Sequence, residues 1–303
     1  MERYLWTVVR RGLIGALPLI AACSCPPQRI VRAPAALAGM TIPSQLTSAD
    51  CERLCGPRIT KCERIRVSTD PLEPGRTPTT DEWTVMCSVP PSCIGGRRPA
   101  GLESTSILAD GVGAHFAELA RLEAASVHAF LELAVELELH GAPPALIDAA
   151  RRAAVEEVDH TWSTAQLARR FGVEPAPPVV AATPPRELAA ILVENATEGL
   201  VYERYGAALA AVRAVHAREP AVRRAMRTIA RDEAGHADLA AAVHAWGLSR
   251  VPRAARRGIE ESRERTTDEL RRVLDVEPTP ALAALTGMPS ATLANDLVAA
   301  VAA

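Results

Sequence analysis

Lysine is almost absent from this chain: Lys61 stands alone among 34 basic residues, and the others are arginine. We read that skew as genome composition. No run of basic residues is long enough to line a nucleic-acid groove, and the formal net charge is only −2. Aromatic residues are sparse, while apolar content is ordinary for a globular protein. The apolar stretch at residues 12–22 is too short to cross a bilayer as a mature helix. Cysteine is missing from everything after Cys93. The length, 303 residues, leaves room for one large domain or two modest ones.

The N-terminus has the layout of an export signal over residues 1–22. Arg3, Arg10 and Arg11 form a positive start, and an apolar stretch comes next. Leu19-Ile20-Ala21-Ala22-Cys23 resembles a bacterial lipobox, with Ile20 where the motif usually has Leu. That resemblance implies lipidation at Cys23 and a protein anchored to a membrane of the cell envelope, facing periplasm or exterior. A plain secretory signal is the alternative reading. Arg10-Arg11-Gly12-Leu13-Ile14 also loosely resembles a twin-arginine signal. Residues 23–47, rich in Pro, Ala, Ser and Thr, read as a tether.

Residues 48–98 form a cysteine-rich region too small to stand on an apolar core alone. With Cys23 set aside, Cys25, Cys51, Cys55, Cys62, Cys87 and Cys93 remain. Six cysteines in an oxidising compartment predict three disulfides, with fifteen possible connectivities. Zinc is the competing use of these thiols, but their spacings fit no standard finger. Cys51 and Cys55 fit one helical turn with both sulfurs on one face. Gly95-Gly96-Arg97-Arg98-Pro99 reads as a boundary.

An all-α bundle is predicted over residues 106–247, followed by a helical extension over 248–303. The first helix runs from about Leu108 to His140 and stops at Gly141; the second starts at Pro143-Pro144 and stops at Gly172. A third runs from after Pro184-Pro185 to about Ala217, and a fourth from Pro220 to Gly247. Proline suits the first helical turn and glycine the residue after the last. Short links make the first two helices one hairpin and the last two another. The Pro-rich link 173–183 reaches about 34 Å when extended, close to the length of a 23-residue helix, so it can cross the whole bundle. The extension holds helices near Arg253–Leu274 and Ser290–Val301 and carries no evident chemistry.

Each bundle helix interrupts its apolar stripe with acid. Glu123 lies in line with Phe116, Leu119, Phe130 and Leu137; Glu157 and His160 with Ala150, Ala153 and Leu167. Glu198 shares a stripe with Ile191, Val201, Tyr205 and Leu209, and Glu233 and His236 share one with Met226, Ile229 and Val243. Buried carboxylates need compensating positive charge. No lysine and no arginine on these stripes supplies it near the acids, whereas two divalent metals would. Glu-x-x-His places both ligands on one helix face. Glu123 precedes Glu157 by 34 residues and Glu198 precedes Glu233 by 35, so the two hairpins match.

This pattern resembles the ferritin-like superfamily of di-iron carboxylate proteins, with rubrerythrin-type and oxygenase-type members nearest. The resemblance covers residues 106–246. It implies a ferritin-like four-helix bundle with a crossover connection, and two metal ions bound by Glu123, Glu157, His160, Glu198, Glu233 and His236, with Glu157 and Glu233 as bridges. Iron is the expected metal; manganese and zinc suit the same ligands. The additional third-helix glutamate of rubrerythrins would fall at Val201, and no Cys-x-x-Cys lies beyond Cys93, so the set leans toward oxygenases and oxidases. In that branch an acid before the Glu-x-x-His glutamate supports a ligand histidine, a role that falls to Asp232 and Glu156. Tyr202 or Tyr205 would hydrogen-bond near the metals, and Glu194 could assist or replace Glu198. The expected activity is oxidation of Fe2+, peroxide or a small organic molecule with O2 or peroxide, using an unidentified electron donor. The alternative is a non-catalytic metal-binding or interaction lipoprotein. A homodimer is compatible with either reading.

Overall fold

A computed structural model describes residues 28–32, 39–55, 62–68, 81–89, 96–103, 111–275 and 277–302. The proposed signal, Cys23, Cys25 and Cys93 lie outside the described residues.

The cysteine-bearing region pairs a short helix with a sheet. Strands β1 (Gln28–Arg32), β2 (Cys62–Ser68) and β3 (Asp81–Val89) run antiparallel in the order β1-β3-β2. Helix α1 (Ser48–Cys55) presents its two cysteines four residues apart, and each sulfur joins a different strand, as Cys51–Cys62 and Cys55–Cys87. These four cysteines are therefore disulfides rather than zinc ligands. Leu54, Val85 and the disulfides themselves make a core of a few side chains, so covalent staples carry stability that apolar area alone could not.

Most of the described chain is helical. Helix α2 (Val112–Leu139) turns at Gly141, whose φ of +70° suits glycine, into α3 (Pro144–Arg170), and the two pack along their length. Next comes a rod made of α4 (Leu188–Glu194), a π-helical segment (Asn195–Glu203) and α5 (Arg204–His216). Helix α6 (Pro220–Leu248) packs against this rod and against α3. Helices α7 (Arg253–Leu274), α8 (Pro280–Thr286) and α9 (Ala291–Ala302) lie outside. Among the described residues no helix is long and apolar enough to cross a membrane.

Two apolar layers fill the bundle. Phe130, Leu133, Leu137, Ile191, Leu192 and Val243 belong to one. Phe116, Leu119, Leu167, Ala214, Met226 and Ile229 belong to the other. In α2, α3, the rod and α6, the acids and histidines fall between the residues of these layers, so the packing that folds the bundle also levels the polar side chains with one another.

The π segment changes which residues of the rod face inward. A uniform α-helix would put Val201, Tyr205 and Leu209 on the stripe of Ile191. The i→i+5 ladder takes up an additional residue per turn and rotates the rest of the rod relative to α4. Val201, Tyr202 and Tyr205 consequently pack outward against Leu270, Leu274, Ala294 and Val298. All nine residues of the segment are buried. Gly199 is required by close approach to α6, because a Cβ there would sit 2.4 Å from that of Ala240.

An arm over residues 96–103 lies against the helices. Leu102 forms an antiparallel bridge with Val180 in the α3–α4 connection, and Glu103 N–H donates to Val179 O at 2.9 Å. Arg97 is 1 % exposed.

Candidate metal centre

Six side chains converge in the polar layer. Glu123, Glu157, His160 and Glu233 offer one set of ligand atoms within 4.8 Å of one another, and Glu157, Glu203 and His236 offer a second. Glu157 belongs to both. Its Oε2 lies 3.3 Å from His160 Nδ1 and its Oε1 3.5 Å from His236 Nδ1. Glu233 spans the same pair, with Oε1 at 3.7 Å from His160 Nδ1 and Oε2 at 3.9 Å from His236 Nδ1. Glu203 Oε2 is 3.4 Å from His236 Nδ1. The layout is two-sided: Glu123 and His160 on one side, Glu203 and His236 on the other, Glu157 and Glu233 between.

The rod's carboxylate at this cluster is Glu203, not the expected Glu198. Arg98 clamps Glu198, donating from its backbone N–H (3.2 Å), Nε (2.9 Å) and Nη2 (3.1 Å). Arg98 also lies over the Tyr202 ring at 4.3 Å, which places Tyr202 beside that ion pair and in the outer apolar cluster rather than among the ligands. Glu194 is likewise engaged elsewhere, by Arg97 Nε at 3.1 Å and by Arg186. The expectation that no arginine serves these acids holds only for the helix stripes. Arg97 and Arg98 arrive from the arm, and Arg186 from the connection before α4. Sequence spacing missed Glu203 because it assumed one helical period throughout; no separate motif marked the π segment.

The outward nitrogens of both histidines are fixed by acids. Asp232 Oδ2 lies 3.2 Å from His160 Nε2, and Glu156 Oε2 lies 3.0 Å from His236 Nε2. These are the two acids expected from the sequence to support the histidines. With Nε2–H donated to a carboxylate, the neutral ring keeps its lone pair on Nδ1, facing the cluster.

Inside the cluster the polar atoms are left over. Both oxygens of Glu157, Glu203 and Glu233, Oε2 of Glu123, and Nδ1 of His160 and His236 are buried with no hydrogen-bond partner among the described residues. Burial pushes the Glu157 carboxyl well above the usual range, and the charges of Glu123 and Glu233 add to it. Burial and the charge of Glu203 do the same to Glu233, against His236. Burial opposes protonation of His236, yet its hydrogen bond to Glu156 and the nearby Glu203 and Glu233 push it up to about 11. Four buried acids facing only two imidazoles, with most of their oxygens lacking a hydrogen bond, are costly at such a site, and a cation placed among them relieves the cost. Two divalent ions would balance the four carboxylate charges, and each ion would gain one imidazole. The donor set of carboxylate oxygens and histidine nitrogens therefore fits two first-row divalent metals. Comparison with protein-family models, curated proteins and solved structures found no match for this chain.

Proposed function

We propose that this chain is a ferritin-like di-iron carboxylate protein: a four-helix bundle with a crossover connection, tethered in the cell envelope through Cys23, that oxidises a small substrate with O2 or peroxide. The observation carrying this reading is the set of orphaned ligand atoms on Glu123, Glu157, His160, Glu203, Glu233 and His236, aimed at one another across a buried layer.

Bound iron would supply one-electron redox chemistry beside an oxygen ligand. The protein supplies the rest. Glu157 and Glu233 share their two oxygens between the two positions, and His160 and His236 each present Nδ1 to one of them. Asp232 and Glu156 hold the imidazoles in the tautomer that binds. The apolar layers on either side keep bulk water from the carboxylates.

The test is metal content after loading with Fe2+ without oxygen, followed by oxygen uptake. About two irons per chain, lost in Glu157→Ala, with Fe2+-dependent uptake, is the expected result. Two ions held with no uptake would replace oxidation by sequestration, and no bound metal would overturn the reading.

A further inference from the structure

A cavity of about 20 Å3 adjoins the cluster on the side of Glu123 and Glu233, walled by Leu119, Leu209, Met226, Gly206 and Arg213. That volume takes one water or a ligand of two or three atoms, and no organic molecule of ordinary size.

Gly206 makes this space. Gly206 is partly buried, and unlike Gly199 and Gly247, where a Cβ would come within 2.4 or 2.6 Å of a neighbour, it is not demanded by contact. On Gly206 a Cβ would meet nothing closer than Glu233 Oε2 at 3.7 Å, and its φ is not positive. Glycine inside a helix costs about 1 kcal/mol relative to alanine, and here neither backbone nor packing requires it. What its missing side chain leaves is room beside the carboxylate that spans the two histidines.

The cavity wall is also charged. Arg213 is buried, fixed by donation from Nε to Thr286 O at 3.2 Å and from Nη2 to His115 Nε2 at 3.1 Å. Its guanidinium faces apolar walls and the Glu123 side of the cluster. Such a pocket favours a small, electron-rich ligand.

Resting on the di-metal reading, we infer that this cavity is the seat of the oxygen ligand, dioxygen or hydrogen peroxide, and that Gly206 sets its size limit and keeps organic molecules from the metals on this side.

Azide, a three-atom anion, is the probe. It would be titrated into the iron-loaded full chain, and into Gly206→Ala and Gly206→Val, following the iron absorption spectrum, with iron content and melting temperature as controls. The expected result is unchanged iron, equal or higher thermal stability for Gly206→Ala, and azide affinity falling stepwise, at least tenfold by valine. If valine disturbs the fold, the alanine variant carries the comparison. Equal affinity in all three iron-loaded chains, or no azide binding to the parent, would overturn the pocket and leave the metal site standing. A parent chain without iron would overturn both.

Discussion

Glu198 and Glu203 sit five residues apart on one rod, both buried, yet one is neutralised by Arg98 and the other faces the cluster, its Oε2 3.4 Å from His236 Nδ1 and no arginine against it among the ion pairs of the described residues. That difference predicts opposite consequences for the same substitution. Glu203→Gln should lower bound metal toward one ion per chain, whereas Glu198→Gln should leave the metal count at two. The second change instead removes the charge that Arg98 pairs with and should cost about 1–3 kcal/mol of stability. Metal analysis and denaturant melts of both variants separate the roles. Asp232→Asn weakens the support of His160 without touching a ligand, and metal affinity should fall about 10–100-fold, measured by competition with a chelator. Outside the site, burial and the charge of Glu194 push Glu132 up to about 7. A carboxyl raised in the fold contributes stability that is complete below its ordinary 4.5 and is lost as pH rises through 7. Glu132→Gln should flatten that part of the stability–pH curve.

At the scale of elements, the π segment couples the rod's outer packing to its inner chemistry. Deleting one residue between 195 and 203 should restore an α ladder, keep helicity, and turn Glu203 away from the cluster, read as loss of metal with little change in circular dichroism. Gly199→Ala should destabilise by about 1–3 kcal/mol through the clash with Ala240. The helices themselves were legible in the sequence because proline starts, glycine stops and apolar stripes agreed; among the described residues the first of them runs from Val112. The two Glu-x-x-His pairs and Glu123 were legible for the same reason, since they interrupt stripes on regular helices. Glu203 was not, because a phase shift inside a helix leaves both flanking patterns intact while misaligning them.

Over the whole molecule, charge balance joins parts that the sequence kept separate. Arg97 and Arg98 read as a chain break beside two glycines, since nothing local announces that a residue will pair with one about a hundred positions later. Gly96 shows how tightly the arm seats: a Cβ there would lie 1.9 Å from Ser126 Oγ and 3.1 Å from Glu123 Oε2.

The arm also bears on the order of events as the chain folds. Arg97 and Arg98 meet partners 97 to 100 residues downstream, so their pairing must wait until the rod has been made. Until then Glu194 and Glu198 have no counter-charge from the arm, and early metal capture there would compete with closure. Rapid refolding in excess metal should therefore trap mis-loaded chains, while adding metal after the arm has docked should not.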